Sequence, residues 1–173
     1  MNLKKTLCVL NDMESERVIG KYAIGGAVAA FLYVEPGATL DIDVFILWEA
    51  DASGLLDLKP IYDYLTRKGY NAQREGILVE GWAVQFLTAS TDLEREALAQ
   101  ATRIEIAGVP THVFTQEHLM AICLETGRPK DLARLIQFIH EGHPDEERLA
   151  QILNRHGLGR KWNDFKKRFL EPL

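Results

Sequence analysis

Asp41 and Asp43 stand one residue apart in the run Leu40-Asp41-Ile42-Asp43-Val44-Phe45-Ile46-Leu47. The apolar residues around them read as a buried strand. Alternate side chains of a strand share a face, so both carboxylates aim at one point, with about 6.6 Å of strand between them. Two ionised acids left unpaired there raise each other's pKa, and desolvation adds to the effect. A divalent cation removes the conflict. Hard carboxylate oxygens suit Mg²⁺, or Mn²⁺ in its place, and such a cation uses one or two protein carboxylates and fills its other positions with water and phosphate oxygens. The glycine pair Gly25-Gly26 supplies the other half of such a site. A strand that breaks at two glycines and enters a helix lets backbone amides approach a phosphate, and the helix N-terminus adds a favourable dipole. Phosphate and metal would then sit side by side. The competing reading makes the two acids strand-end carboxylates paired with arginines.

These residues need a scaffold, and the hydrophobic pattern outlines one. Leu3, Leu7, Leu10 and Met13 recur at helical spacing through an N-terminal helix over residues 2 to 17. Tyr22 to Ile24 is a short strand that the glycines halt, Ala27 to Tyr33 a helix ended by Pro36-Gly37, and Leu40 to Trp48 the strand that carries the acids. Leu55 to Lys68 forms the next helix, stopped by Gly69. Tyr70 to Leu87 is β-prone, with a turn at Glu75-Gly76 and the core run Trp82-Ala83-Val84-Gln85-Phe86-Leu87. Thr91 caps a helix through Ala99, with Glu94 completing a capping box, and residues 101 to 114 form a hairpin turning at Ala107-Gly108. After Phe114 only helices follow: Gln116 to Glu125, Pro129 to His140, Asp145 to Asn154 and Gly159 to Leu170. Thr115 caps the first of them, and Pro129 fits the first turn of the second. The pattern is an α+β core over residues 1–114 with a helical region, 115–173, packed on it.

With 47% hydrophobic and 26% charged residues in 173, the composition is that of a folded domain and excludes disordered and fibrous classes. No run approaches a membrane span, and the short apolar stretch before Asn11 is too brief for a signal-peptide core, so a cytoplasmic protein with no membrane partner is expected. Cys8 and Cys123 have no metal-ligand spacing and read as two buried free thiols. The net charge of −5 argues against broad nucleic-acid affinity, yet it is unevenly spread. Residues 154–173 carry six Lys or Arg against two acids, which reads as the solvated face of an amphipathic helix or as a contact for a polyanion. His140 and His143 sit in a solvated turn, and Trp48, Trp82 and Trp162 are packing residues by default, with base stacking as the alternative. The glycines are followed by no Walker lysine and form no GxGxxG pattern, which excludes P-loop and dinucleotide folds.

Gly25-Gly26 followed by Thr39-Leu40-Asp41-Ile42-Asp43 resembles the signature of nucleotidyltransferases of the DNA polymerase β type. In that family a Gly-Gly or Gly-Ser turn opens a helix, and the next strand carries Asp-x-Asp with Thr or Ser two residues before it. The spacing is most similar to small abortive-infection-type toxins and minimal nucleotidyltransferases. The resemblance implies a nucleotidyltransferase-like mixed sheet flanked by helices and the transfer of NMP from an NTP such as ATP to a protein, RNA or small-molecule acceptor. It implies that Gly25, Gly26 and Thr39 hold the triphosphate, that Asp41 and Asp43 are the catalytic metal ligands, and that Lys130 reaches a phosphate.

The chain also departs from that pattern. The family's third carboxylate falls on Gln85, with Glu80 and Glu105 as candidate substitutes, the former needing a turn at Gly81 to join the site. Gly37 stands where relatives carry an arginine, Cys123 where they carry a lysine, and Arg134 where a second acid follows Lys130-Asp131. A neutral residue 85 implies slow transfer, because loss of a general base costs about 10² to 10⁴ in rate. The alternative is a catalytically degenerate nucleotide-binding or regulatory module, antitoxin-like, on the same fold.

Overall fold

A computed structural model describes residues 1–47, 58–73 and 76–170. Its order is α1 (Leu3–Ser15), β1 (Tyr22–Ile24), α2 (Gly26–Ala30), β2 (Asp41–Ile46), α3 (Lys59–Arg67), β3 (Asn71–Gln73), β4 (Gly76–Val79), β5 (Trp82–Thr88), α4 (Asp92–Ala99), β6 (Thr102–Ile106), β7 (Val109–Val113), α5 (Gln116–Thr126), α6 (Pro129–Glu141), α7 (Glu146–Arg155) and α8 (Gly159–Phe169). Trp48, Leu55 and Glu75, expected at the ends of a strand, a helix and a turn, lie outside the described residues.

The strands form one mixed sheet in the order β3-β4-β5-β2-β1-β7-β6. β2 lies in its middle, antiparallel to β1 and parallel to β5. Its core side is set by Ile42 and Val44, both fully buried, while Asp41 and Asp43 alternate onto the other side and remain half-buried. Tyr22, Ala23 and Ile24 of β1 are fully buried, so the strand that ends in the glycines is locked inside the sheet.

Helix α5 is the central pillar of the helical layer. Eight of its residues are buried, and it packs against α2, α4, α6, α7 and α8. A helix apolar on most of its circumference has no solvent face to offer, which explains why it sits inside the others. The caps follow the sequence. Thr91 and Glu94 complete the capping box of α4, and Thr115 accepts from the His118 amide at the start of α5.

Two expectations are corrected. α2 ends at Ala30 rather than Tyr33, because the next bonds run Leu32 N–H to Ala29 O (3.2 Å) and Tyr33 N–H to Ala30 O (2.9 Å), the tighter spacing of a closing turn. Cys8 is exposed, not buried: the inward side of α1 is taken by Thr6, Leu7, Leu10 and Met13. Cys123 is buried and free as expected.

Candidate active site

The register of three strands builds the site. Gly25 continues past the β1–β2 pairing, and its N–H donates to the Asp43 carbonyl at 2.9 Å. Gly26 follows at φ +56°, and a Cβ placed there would overlap Asp43 Oδ2. Glycine is thus required twice over, for its backbone angle and for the carboxylate lying against it. The expected dipole contribution is smaller than the sequence suggested, since α2 has five residues and few aligned peptides. Close approach of backbone is what the pair provides.

Asp41 is held on both oxygens. Thr39 Oγ1 donates to Oδ1 at 2.6 Å, and Gln85 Nε2 donates to Oδ2 at 3.1 Å. Gln85 stands beside Asp43 in the parallel β2–β5 pairing, so the residue on which the resemblance puts a third carboxylate shares a wall of the site with the two acids. Neither candidate substitute comes near. Glu80 sits in the turn before β5, accepts from Tyr70 Oη at 3.0 Å and faces Lys5 Nζ at 3.8 Å. Glu105 is exposed on β6, the far edge strand of the sheet.

A cleft of about 1020 Å³ opens over these residues. One wall is Gly26, Thr39, Asp41, Asp43 and Gln85; the opposite wall, from α5 and the start of α6, brings Cys123, Arg128, Lys130, Asp131 and Arg134. Phe45 and Phe114, with ring centroids 4.7 Å apart, give it an apolar floor. Asp131 is buried and forked by Arg128, with Nε donating to Oδ2 at 2.5 Å and a terminal nitrogen to Oδ1 at 3.2 Å. Lys130 is exposed and Arg134 half-buried, and neither makes a hydrogen bond or ion pair among the described residues.

The electrostatics follow from this layout. Burial pushes the Asp43 carboxyl above its ordinary value, Asp41 adds to the rise, and Lys130, Arg134 and Arg128 oppose it across the cleft. Burial also pushes the Cys123 thiol up to about 12, so it stays protonated. Among the described residues no group of three or more His, Cys, Asp and Glu could hold a metal by itself. Two carboxylates, each oxygen with a lone pair beyond its present bond, fit a Mg²⁺-type ion that completes its sphere with phosphate and water.

Lys130 therefore shares the cleft with Gly26, Thr39, Asp41 and Asp43, while Gly25 backs it through the Asp43 carbonyl. Sequence reasoning gave no role to Arg128 or to the Phe45–Phe114 floor. Arg128 had a signal, as the residue before the Pro129-Lys130 opening of α6. The two phenylalanines had none, being indistinguishable in sequence from core. Of the tryptophans, Trp82 and Trp162 do not line the cleft, and Trp162 instead stacks on Phe165 at 5.7 Å; Trp48 lies outside the described residues.

No family model matches the chain, and no curated protein is significantly similar to it. Solved structures do match. An antigenic nucleotidyltransferase-like protein from Paracoccidioides brasiliensis is 18% identical, covers 95% of this chain and 92% of its own, and superposes with a TM-score of 0.53. The fold is nucleotidyltransferase-like. Two structures of ANT(2″)-Ia are also similar at lower TM-scores. A crystal structure in complex with adenylyl-2″-tobramycin has a TM-score of 0.45 at 17% identity, covering 95% of this chain and 98% of that one. A solution structure, described as that of an antibiotic-resistance factor, has a TM-score of 0.48 at 16% identity, covering 96% and 92%. The first of the three shares the fold with this chain, whose central β2 is flanked by β1 and β5. Among the described residues no helix is long and apolar enough to cross a membrane.

Proposed function

We propose that the chain is a metal-dependent nucleotidyltransferase that moves NMP from an NTP to an acceptor. The observation that carries this reading is the contact of Asp43 Oδ2 with the backbone of Gly26, which sets an acid against the glycine bend on one wall of the cleft. Asp41 and Asp43 would hold Mg²⁺ or Mn²⁺, and the bound ion would neutralise the triphosphate and the departing pyrophosphate. Thr39 fixes the rotamer of Asp41 through its 2.6 Å bond. Gly25 and Gly26 admit the triphosphate beside the bound ion, and the Phe45–Phe114 floor suits the apolar faces of a base. The exposed Arg160, Lys161, Lys167 and Arg168 of α8 support contact with a polyanion. Lys161 Nζ donates to Glu125 O at 2.6 Å, beside the Thr126 and Arg128 rim of the cleft.

Gln85 on Asp41 favours a second reading, a nucleotide-binding regulatory module of the antitoxin-like kind that holds Mg²⁺·ATP without turnover. Incubation with Mg²⁺ or Mn²⁺, α-labelled NTPs and a cell extract separates the two. Labelled product that disappears in Asp41→Asn supports transfer. Binding by calorimetry with no labelled product under either metal supports the module, and absence of both defeats the two together.

A further inference from the structure

The reading of the cleft as an NTP site, on which this inference rests, leaves the acceptor open, and the side chains around the acids restrict its chemistry. A hydroxyl acceptor must lose a proton as its oxygen attacks, and without a base within hydrogen-bond reach that step is slower by about 10² to 10⁴. Among the described residues of the cleft, each basic group is already committed. Asp41 accepts from Thr39 Oγ1 at 2.6 Å and from Gln85 Nε2 at 3.1 Å. Asp43 lies against Gly26 and would serve as the second metal ligand. Asp131 is 4% exposed and forked by Arg128. The Cys123 thiol is buried and protonated. Gln85, beside Asp43 in register, turns an N–H toward Asp41 and cannot take a proton. Across the cleft, Lys130 and Arg134 act on Asp43 only at a distance and have neither a hydrogen bond nor an ion pair among the described residues, so both can turn to an anion bound between the walls.

We infer that the acceptor of this cleft is a phosphate monoester, attacking through an oxygen that is already anionic, rather than a hydroxyl compound. A non-bridging oxygen of the acceptor's phosphate forms a bond to the α-phosphorus of the NTP. The bond from that phosphorus to the oxygen bridging to the β-phosphorus breaks, and its electron pair leaves with pyrophosphate. The product is a phosphoanhydride joining acceptor and NMP. Dianion and tetra-anionic NTP give a dianionic anhydride and tetra-anionic pyrophosphate, so charge balances with no proton to remove. A monoester is dianionic above its second pKa of about 6, so two cations match it better than they match a carboxylate.

Inorganic phosphate is the simplest probe, because its attack on ATP gives ADP and pyrophosphate and leaves the label of ³²P-phosphate in the β-position of ADP. The parent protein with Mg²⁺·ATP is expected to form labelled ADP at least about tenfold faster than it adenylylates glycerol at equal concentration. Calorimetry of phosphate into protein saturated with Mg²⁺ and α,β-methylene ATP is expected to show binding that weakens about tenfold in Lys130→Ala/Arg134→Ala. Gln85→Glu, which supplies a base, is expected to reverse the preference and raise glycerol adenylylation by about a hundredfold. Glycerol preferred over phosphate by the parent overturns the inference. So does bound Mg²⁺·nucleotide with neither phosphate binding nor labelled ADP. If calorimetry shows no Mg²⁺·nucleotide binding at all, the nucleotide reading of the cleft fails first and takes this inference with it.

Discussion

Glu96 and Asp43 are both acids shielded from water, and their surroundings could hardly differ more. Glu96, on α4, is ringed by cations and donors. Arg155 reaches Oε1 at 2.8 Å, His156 Nε2 lies 2.9 Å from Oε2, and the fully buried His118 lies 3.3 Å from Oε1. Burial alone would raise its pKa, but the bonds from His156 and His118 and the charge of Arg155 outweigh burial and hold the carboxyl below its ordinary value. Asp43 receives no such bonds to its carboxylate among the described residues. Burial and Asp41 hold it above its ordinary value, and the cations that oppose them act across open space. One site is finished by the protein, tying three helices of the α layer together. The other keeps its two acids on one wall of a cleft and its cations, Lys130, Arg134 and Arg128, on the opposite one.

The largest effect that sharpens this contrast is expected at Gly26. Gly26→Ala combines a side chain at φ +56° with overlap on Asp43 Oδ2, and should cost about 3 kcal/mol. Gly20→Ala, with nothing within 4 Å, should be close to neutral in the same denaturant titration. Equal effects at the two glycines would mean that the carboxylate does not press on the bend. Next in size is Glu96→Ala, which leaves the buried His118 Nε2 without its partner and should cost about 2 kcal/mol. That loss should appear in thermal melts as a fall of about 4 to 8 °C.

The third prediction concerns pH, where the two acids act in opposite senses. A carboxylate with a depressed folded pKa contributes stability above its unfolded value and loses it as pH falls through the folded one. Glu96 should therefore weaken the fold as pH drops below its ordinary 4.5. Asp43 has a raised folded pKa, so the folded state binds the proton more tightly than the unfolded chain. Its contribution should turn against the fold as pH rises from the ordinary 3.8 through the raised value. Asp43→Asn should remove that loss and raise the melting temperature of the metal-free protein at pH 7 by about 2 °C. Glu96→Gln should flatten the acid limb instead. A lower melting temperature for Asp43→Asn at pH 7 would show that Asp43 is a structural acid like Glu96.

How much of this was legible in the sequence differs between the two regions for a physical reason. The cleft acids could be read because their positions break a local rule, charge inside an apolar strand, and because strand alternation fixes which residues share a face. The caps at Thr91 and Thr115 were legible on the same local grounds. The Glu96 cluster was not, since Glu96, His118 and Arg155 come from three helices and only tertiary packing joins them. Arg128 and Arg134 reach the cleft through the packing of α6 on α5 and of α5 on α2, which periodicity does not specify. Lys130 was legible through a resemblance, and Gln85 through the strand that pairs with β2. Cys8 was misread because a small apolar side chain in an amphipathic helix falls on either face with little energetic consequence.

The most direct test is thermal stabilisation by Mg²⁺ and α,β-methylene ATP in the parent and in Asp41→Asn/Asp43→Asn. At ligand about a hundredfold above its dissociation constant, the parent should gain about 2.7 kcal/mol, and the double variant should gain nothing while melting slightly higher in the absence of ligand. Equal stabilisation of parent and variant would contradict the account, because the nucleotide would then be held without the two acids.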